Sequence, residues 1–165
     1  MKIEITRATK RQARVIAELR TAVHDRLTRD FGRGPWSTAV TEKGVLYSLR
    51  QASVFVVRNG RTIIGTLQLA TKKPWAIDAS YFTDAHKPLY LTAMAVAPDR
   101  QHRGIGRAMM EEVKRIAEAW PSDAIRLDAY DLPGGAGAFY ARSGYRETGR
   151  LTYRGAPLIY YELLL

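Results

Sequence analysis

Cysteine is absent from the 165 residues, which removes disulfides, thiolate metal ligands and a cysteine nucleophile together. Long apolar runs are missing too. Nothing approaches the roughly 18 consecutive apolar residues that a membrane-spanning helix needs. The opening Met1-Lys2-Ile3-Glu4-Ile5-Thr6 alternates polar and apolar residues, unlike a signal peptide. These absences predict a cytoplasmic chain with no membrane partner. Histidine is scarce: His24, His86 and His102 stand apart, with no second ligand at metal-binding spacing, so no metal site is expected. Negative charge is also short. Sixteen Asp and Glu face 26 Lys and Arg, a formal net charge of +10, which favours anionic partners. The arginines are scattered rather than massed in a tail, and no nucleic-acid module signature is present. Nucleic acid is therefore not the expected main partner, and solubility alone would account for much of the charge.

What is present is alternating periodicity. Ile3 and Ile5 share one face of a first strand, and Thr9-Lys10-Arg11-Gln12 reads as a capping box opening a helix. Val15, Ile16, Leu19, Val23 and Leu27 follow at helical spacing, and residues 40–50 suggest a second helix despite Gly44. Residues 53–58 and 62–71 are β-branched strands around an Asn59-Gly60 turn. After an aromatic and polar stretch at 72–87 come a strand at 89–96, a helix at 105–120 and a strand at 125–130. A short helix at 137–142 and two closing strands, 145–151 and 158–164, complete the chain. The order β-α-α-β-β-β-α-β-α-β-β predicts one domain over residues 1–165. Its class is α/β of the α+β type, a mixed, mainly antiparallel sheet of about seven strands with about four helices. The strand pair joined by the long helix should be parallel.

The chemistry gathers where the strand ending at Val96 meets the long helix. The loop Gln101-His102-Arg103-Gly104-Ile105-Gly106 carries two glycines, whose missing Cβ atoms would let an anion reach the backbone. The first amides of a helix lack internal partners, and the dipole there favours negative charge. Arg100, Arg103 and Arg107 add cations, so the segment reads as a pyrophosphate cradle. The same glycines would also serve a plain tight turn. No Gly-x-x-x-x-Gly-Lys-Ser/Thr run is present, and Met109 occupies the third glycine position of a dinucleotide fingerprint.

Val96-x-Pro98-x-x-Gln101-x-x-Gly104-x-Gly106-x-Ala108 resembles the acetyl-CoA-binding motif of the GNAT superfamily of N-acetyltransferases. A second segment, Ala136-Gly-Ala-Phe139-Tyr140-Ala-Arg-Ser-Gly144-Tyr145, is similar to that family's Ala-x-x-Phe-Tyr-x-x-x-Gly-Phe stretch. The resemblance implies that the amides of Gln101, His102, Arg103, Gly104, Ile105, Gly106 and Arg107 hold the pyrophosphate of acetyl-CoA. It implies that Met94, Ala95 and Val96 pair with the pantetheine arm, with an amide near Met94 polarising the thioester. It further implies that Tyr140 protonates the departing sulfur, although Tyr140 would also serve as packing beside Phe139. Dimers are common in the family; no residue here establishes one.

Tyr90 stands where the histone-acetylating branch of the family carries a glutamate, so the familiar base is missing. Asp84, His86, Asp128, Asp131 or an ordered water remain candidates. Pro133 stands where many members have a coenzyme-contacting asparagine and cannot replace it. Trp36, Trp75, Tyr81 and Phe82 lie in the two irregular segments, where they either line the acceptor pocket or pack as core. The resemblance thus points to acetyl transfer onto a small-molecule or peptide amine. The alternatives are a non-catalytic acyl-CoA-binding domain and an acetyltransferase of aminoacyl-tRNA.

Overall fold

A computed structural model describes residues 2–165. Seven strands form one sheet in the order β1-β2-β3-β4-β5-β7-β6. The strands are β1 (Glu4–Arg7), β2 (Ser53–Asn59), β3 (Thr62–Ala70), β4 (Pro88–Val96), β5 (Ala124–Tyr130), β6 (Arg146–Tyr153) and β7 (Ala156–Leu164). The helices are α1 (Ala13–Phe31), α2 (Glu42–Gln51), α3 (Ile105–Ala119) and α4 (Gly137–Arg142). β4 pairs with β5 in parallel, as the strand–helix–strand order requires, while β1–β2, β2–β3, β5–β7 and β6–β7 are antiparallel. The element order matches the sequence expectation throughout. The chain divides into two compact units, one of residues up to Leu69 with Ala93–Met109, the other of Ala70–Thr92 with Met110–Leu165.

In the first unit the Thr9/Gln12 capping box is formed, the Gln12 amide side chain accepting from the Thr9 N–H at 2.8 Å. It caps a 3₁₀ turn, Lys10–Gln12, that runs on into α1. The buried stripe differs from the one read by spacing. Ala13, Ile16 and Ala17 pack with Val45, Val54 and Val56, whereas Val15 is 42% exposed. Two alanines one turn apart let the helix approach the strands closely, which sets the packing face beside the larger Val15. Gly44 falls in the first turn of α2, its N–H donating to the N-cap Thr41 hydroxyl at 3.0 Å, where glycine costs less than in mid-helix. The β2–β3 turn is shifted by one residue. Asn59 pairs with Thr62, so Gly60 and Arg61 form the loop, and Gly60 takes the positive φ of 62° that such a turn needs at its first position.

The connection between α1 and α2 is irregular, yet it is tied down by a polar stripe on α1. The Thr21 hydroxyl accepts from Val40 N–H at 3.0 Å and donates to Val40 carbonyl at 3.2 Å. His24 Nδ1 meets the Thr38 carbonyl at 2.7 Å, and Thr28 shares a hydrogen bond with Ser37 at 2.7 Å. Positions 21, 24 and 28 lie on one face of a helix, so one row of side chains holds the whole connection. Trp36 is buried in this unit, its indole N–H donating to the Gly32 carbonyl at 3.1 Å.

In the second unit β7 is the central strand, buried from Leu158 to Glu162. The segment 71–87 is anchored to this unit at three places. The Tyr160 hydroxyl accepts from Asp78 N–H at 2.9 Å and donates to the Ala76 carbonyl. Arg126 and Glu162, both nearly inaccessible, pair at 3.1 Å and take the Thr83 carbonyl and N–H at 2.5 and 3.2 Å. Asp123 accepts from the N–H groups of His86 and Lys87 at 2.7 and 2.9 Å. β6 and β7 meet in a tight hairpin, with Arg154 and Gly155 at φ 48° and 79°. Sequence spacing ended β6 two residues early.

Candidate active site

The strand–loop–helix segment is built from the first unit. β4 contains an irregularity that no sequence signal announces: Ala93 sits in mid-strand at φ 50°, a conformation costing about 1–2 kcal/mol for a residue with a Cβ. Met94, Ala95 and Val96 follow it. Backbone strain of this kind persists where surrounding structure over-determines it, commonly beside functional groups. Beyond Val96, Ala97 N–H donates to the Ile64 carbonyl at 2.8 Å, and Pro98–Arg100 forms a 3₁₀ turn. The Gln101 side-chain amide reaches back to the Val96 carbonyl at 3.0 Å. Gln101 thus staples the loop to the strand end through its side chain.

His102 and Gly104 both adopt left-handed backbone, at φ 60° and 79°, the conformation from which backbone anion-binding nests are built. His102, Arg103, Gly104 and Arg107 are exposed, whereas Ile105 and Met109 are buried and fix the helix start. At the helix start Ala108 N–H donates to the Gly104 carbonyl at 3.1 Å. Gly104→Val is expected to weaken acetyl-CoA binding at least tenfold by calorimetry, because a β-branched residue resists φ near 79°.

The second unit holds the ionisable groups. Tyr140 on α4 is 8% exposed and packs against Phe139, Tyr145 and Tyr161 at ring-centroid distances of 5.2, 6.1 and 6.2 Å. Burial, and secondly the charge of Asp128, push its phenol well above the usual tyrosine range. Asp128 on β5 is itself raised above the ordinary carboxylate value by desolvation, and it forms no ion pair among the described residues. Its charge also raises Tyr130 and Tyr160, after burial in each case. One desolvated carboxylate therefore acts on three phenols.

The other base candidates sit differently. Asp84 and His86 are exposed, and Asp131 pairs with Arg150 at 3.3 Å. Tyr90 is buried among Ile77, Phe82 and Tyr160, its hydroxyl accepting from Arg126 at 3.2 Å. Of the aromatic candidates, Trp36 and Phe82 are core residues and Tyr81 stands edge-on to Tyr160 at 5.5 Å, whereas Trp75 is 83% exposed. Among the described residues no group of His, Asp and Glu could hold a metal ion, and no helix is long and apolar enough to cross a membrane.

A strand running through a glycine-containing loop into a long helix, on a mixed seven-stranded sheet of this order, defines the acyl-CoA N-acyltransferase fold. The chain belongs to the acetyltransferase (GNAT) family, whose domain model matches residues 50–147; by that membership it is an N-acetyltransferase. Solved structures share the fold at low identity. PaiA N-acetyltransferase from Thermoplasma acidophilum, in complex with coenzyme A, superposes with a TM-score of 0.73 at 14% identity, over 99% of this chain and 100% of its own. YncA from Salmonella typhimurium, with its cofactor acetyl-CoA, gives 0.69 at 14% identity over 98% and 93%. A ribosomal-protein-alanine N-acetyltransferase from Brucella melitensis gives 0.70 at 17% identity over 98% and 99%. No curated protein matches the sequence.

Proposed function

We propose that residues 1–165 act as a single cytoplasmic acetyltransferase domain that moves an acetyl group from acetyl-CoA to a primary amine by direct attack on the thioester. The loop at Gln101–Arg107 carries the cofactor half of this reading, since its left-handed residues, helix-start amides and flanking arginines suit a pyrophosphate. Coenzyme A and acetyl-CoA in the PaiA and YncA structures support the same assignment. The amides of Met94, Ala95 and Val96 would receive the pantetheine arm, with that of Met94 polarising the carbonyl oxygen.

Asp128 is the general base in this reading and Tyr140 the general acid. The neutral amine attacks the thioester carbon, a C–N bond forms, and the amine proton passes to the Asp128 carboxylate. The C–S bond then breaks, and the sulfur takes a proton from the Tyr140 hydroxyl. A carboxyl with raised affinity for protons is the better base, while a phenol with raised pKa keeps its proton through neutral pH. Tyr140→Phe is expected to lower kcat on the order of 10²-fold with the acetyl-CoA Kd nearly unchanged, measured by thiol release and calorimetry. An undiminished kcat removes Tyr140 as the acid.

A thiol-release screen of acetyl-CoA against small amines, peptides and tRNA tests the whole reading. Absence of both acceptor-stimulated release and stabilisation by acetyl-CoA would refute it. Salt-sensitive transfer to aminoacyl-tRNA would instead identify a nucleic-acid acceptor.

A further inference from the structure

The register of β5, β7 and β6 aligns Asp128, Tyr160 and Gly149 in one row. Asp128 is the cross-strand partner of Tyr160, and Tyr160 is in turn the partner of Gly149. Directly opposed residues present their side chains on the same face, with Cβ atoms about 4.5–5.5 Å apart. The neighbouring row on that face is the Arg126–Glu162 pair. Residues 76–83 reach both rows. Thr83 meets Arg126 and Glu162, and the Phe82 ring lies 5.0 Å from the Arg126 guanidinium. On the first row the Tyr160 hydroxyl holds the Asp78 N–H at 2.9 Å and the Ala76 carbonyl. Tyr81 stands edge-on to Tyr160 at 5.5 Å and fills the space above Gly149, where a Cβ would collide with its ring. Tyr160 is fully inaccessible, with Ile77 and Phe82 packed against it.

The segment thus supplies hydrogen-bond partners to Arg126, Glu162 and Tyr160. Among the described residues it supplies none to Asp128, which is half-buried beside them. Burial pushes the Tyr160 phenol up, and the charges of Asp128 and Asp78 add to the effect. Carboxylate and segment therefore meet at that hydroxyl. We propose that Tyr160 is a positioning residue for the reaction: by holding residues 76–82 over the β5–β7 face, it shields Asp128 from water on that side. The assignment rests on Asp128 acting as the base. A carboxylate short of solvent holds a proton more readily than one in water, so release of the segment should return Asp128 toward ordinary behaviour. The titratable groups facing Asp128 are Tyr130 on β5, Tyr140 on α4 and Tyr160 on β7. All three phenols are raised, first by burial, and stay neutral through an acidic limb. Asp78, on the segment, is held low by hydrogen bonds from Ser80 and titrates below that limb.

The test uses the full chain and two variants. Tyr160→Phe keeps the ring and removes both hydrogen bonds, whereas Gly149→Ala displaces Tyr81 and keeps the hydroxyl. Hydrogen exchange of the Asp78 amide, NMR titration of the Asp128 carboxyl carbon in the unliganded protein, and the pH–rate profile are compared with the wild type. In Tyr160→Phe the amide should exchange at least tenfold faster, and the Asp128 midpoint and the acidic limb should both move to lower pH. Its kcat should fall at least threefold with the acetyl-CoA Kd unchanged. Gly149→Ala should move the midpoint in the same direction and stands in if Tyr160→Phe does not fold. A slower enzyme with the Asp128 midpoint unmoved overturns the inference, because a merely structural role would give that result. Unchanged exchange at Asp78, or a midpoint that rises, also overturns it. Asp128→Asn as fast as the wild type is a different result, striking the base assignment while the midpoint shift stands.

Discussion

Asp128→Asn is expected to lower kcat by about 10³-fold, within the range that a positioned general base contributes, while leaving acetyl-CoA affinity intact. The same variant should be more stable than the wild type at neutral pH. The sign follows from desolvation, which raises the folded-state pKa of Asp128 above its unfolded value. The protonated form therefore fits the fold better. The contribution of Asp128 to stability is full below the unfolded pKa, near about 3.9, and is lost as pH rises through the folded value. At pH 7 the carboxylate is a cost that Asn does not carry. Rate should rise with pH along an acidic limb lying above the usual carboxylate range, and that limb should vanish in the variant. Thermal denaturation beside a pH–rate profile checks both halves. A variant that is slower but no more stable would mean that Asp128 is not desolvated; one equally fast would remove it as the base. Loss of activity with gain of stability is the pattern expected of a group kept for chemistry rather than for folding.

Glu162→Leu should have the largest effect on folding. It leaves Arg126, 4% exposed, as an uncompensated charge, and removing one partner of a buried pair costs about 3–5 kcal/mol. For a chain of this size the melting temperature should fall by roughly 10 °C. Thr83 N–H loses its acceptor in the same step, and Arg146, 3.6 Å from Glu162, loses an ion-pair partner. The double variant Arg126→Met/Glu162→Leu should recover much of the loss, because two apolar side chains carry no desolvation penalty. Urea denaturation of both variants measures this directly. If the single variant is as stable as the wild type, the pair is solvated in solution.

Local signals made most of the fold legible. The Thr9/Gln12 box, the β-branched runs on either side of Gly60 and the apolar period of α3 each depend on contacts a few residues apart. The strand–loop–helix segment proposed to hold the cofactor was legible for the same reason, since Gln101, Gly104 and Gly106 lie within one turn of chain. The misreadings lie where packing against a distant element decides. Val15 belongs to the helical period but is exposed, because Ala13 and Ala17 are the side chains small enough to meet β2. The β2–β3 turn moved by one residue because the strand register selects which pair forms the loop.

The base proposed for the reaction shows the difference most clearly. Asp84, His86, Asp128 and Asp131 are equivalent as letters in a sequence. Only the fold distinguishes them: Asp131 is placed beside Arg150, Asp84 and His86 face solvent, and Asp128 is desolvated on β5, where its charge reaches Tyr140. Ala93 likewise carries no local mark. By itself the sequence determined the order of elements and the family, because these rest on periodicity, turn chemistry and motifs that act over short stretches of chain. Tertiary structure decided which carboxylate is desolvated and where the strand is strained, because burial and charge pairing are set by residues far apart along the chain.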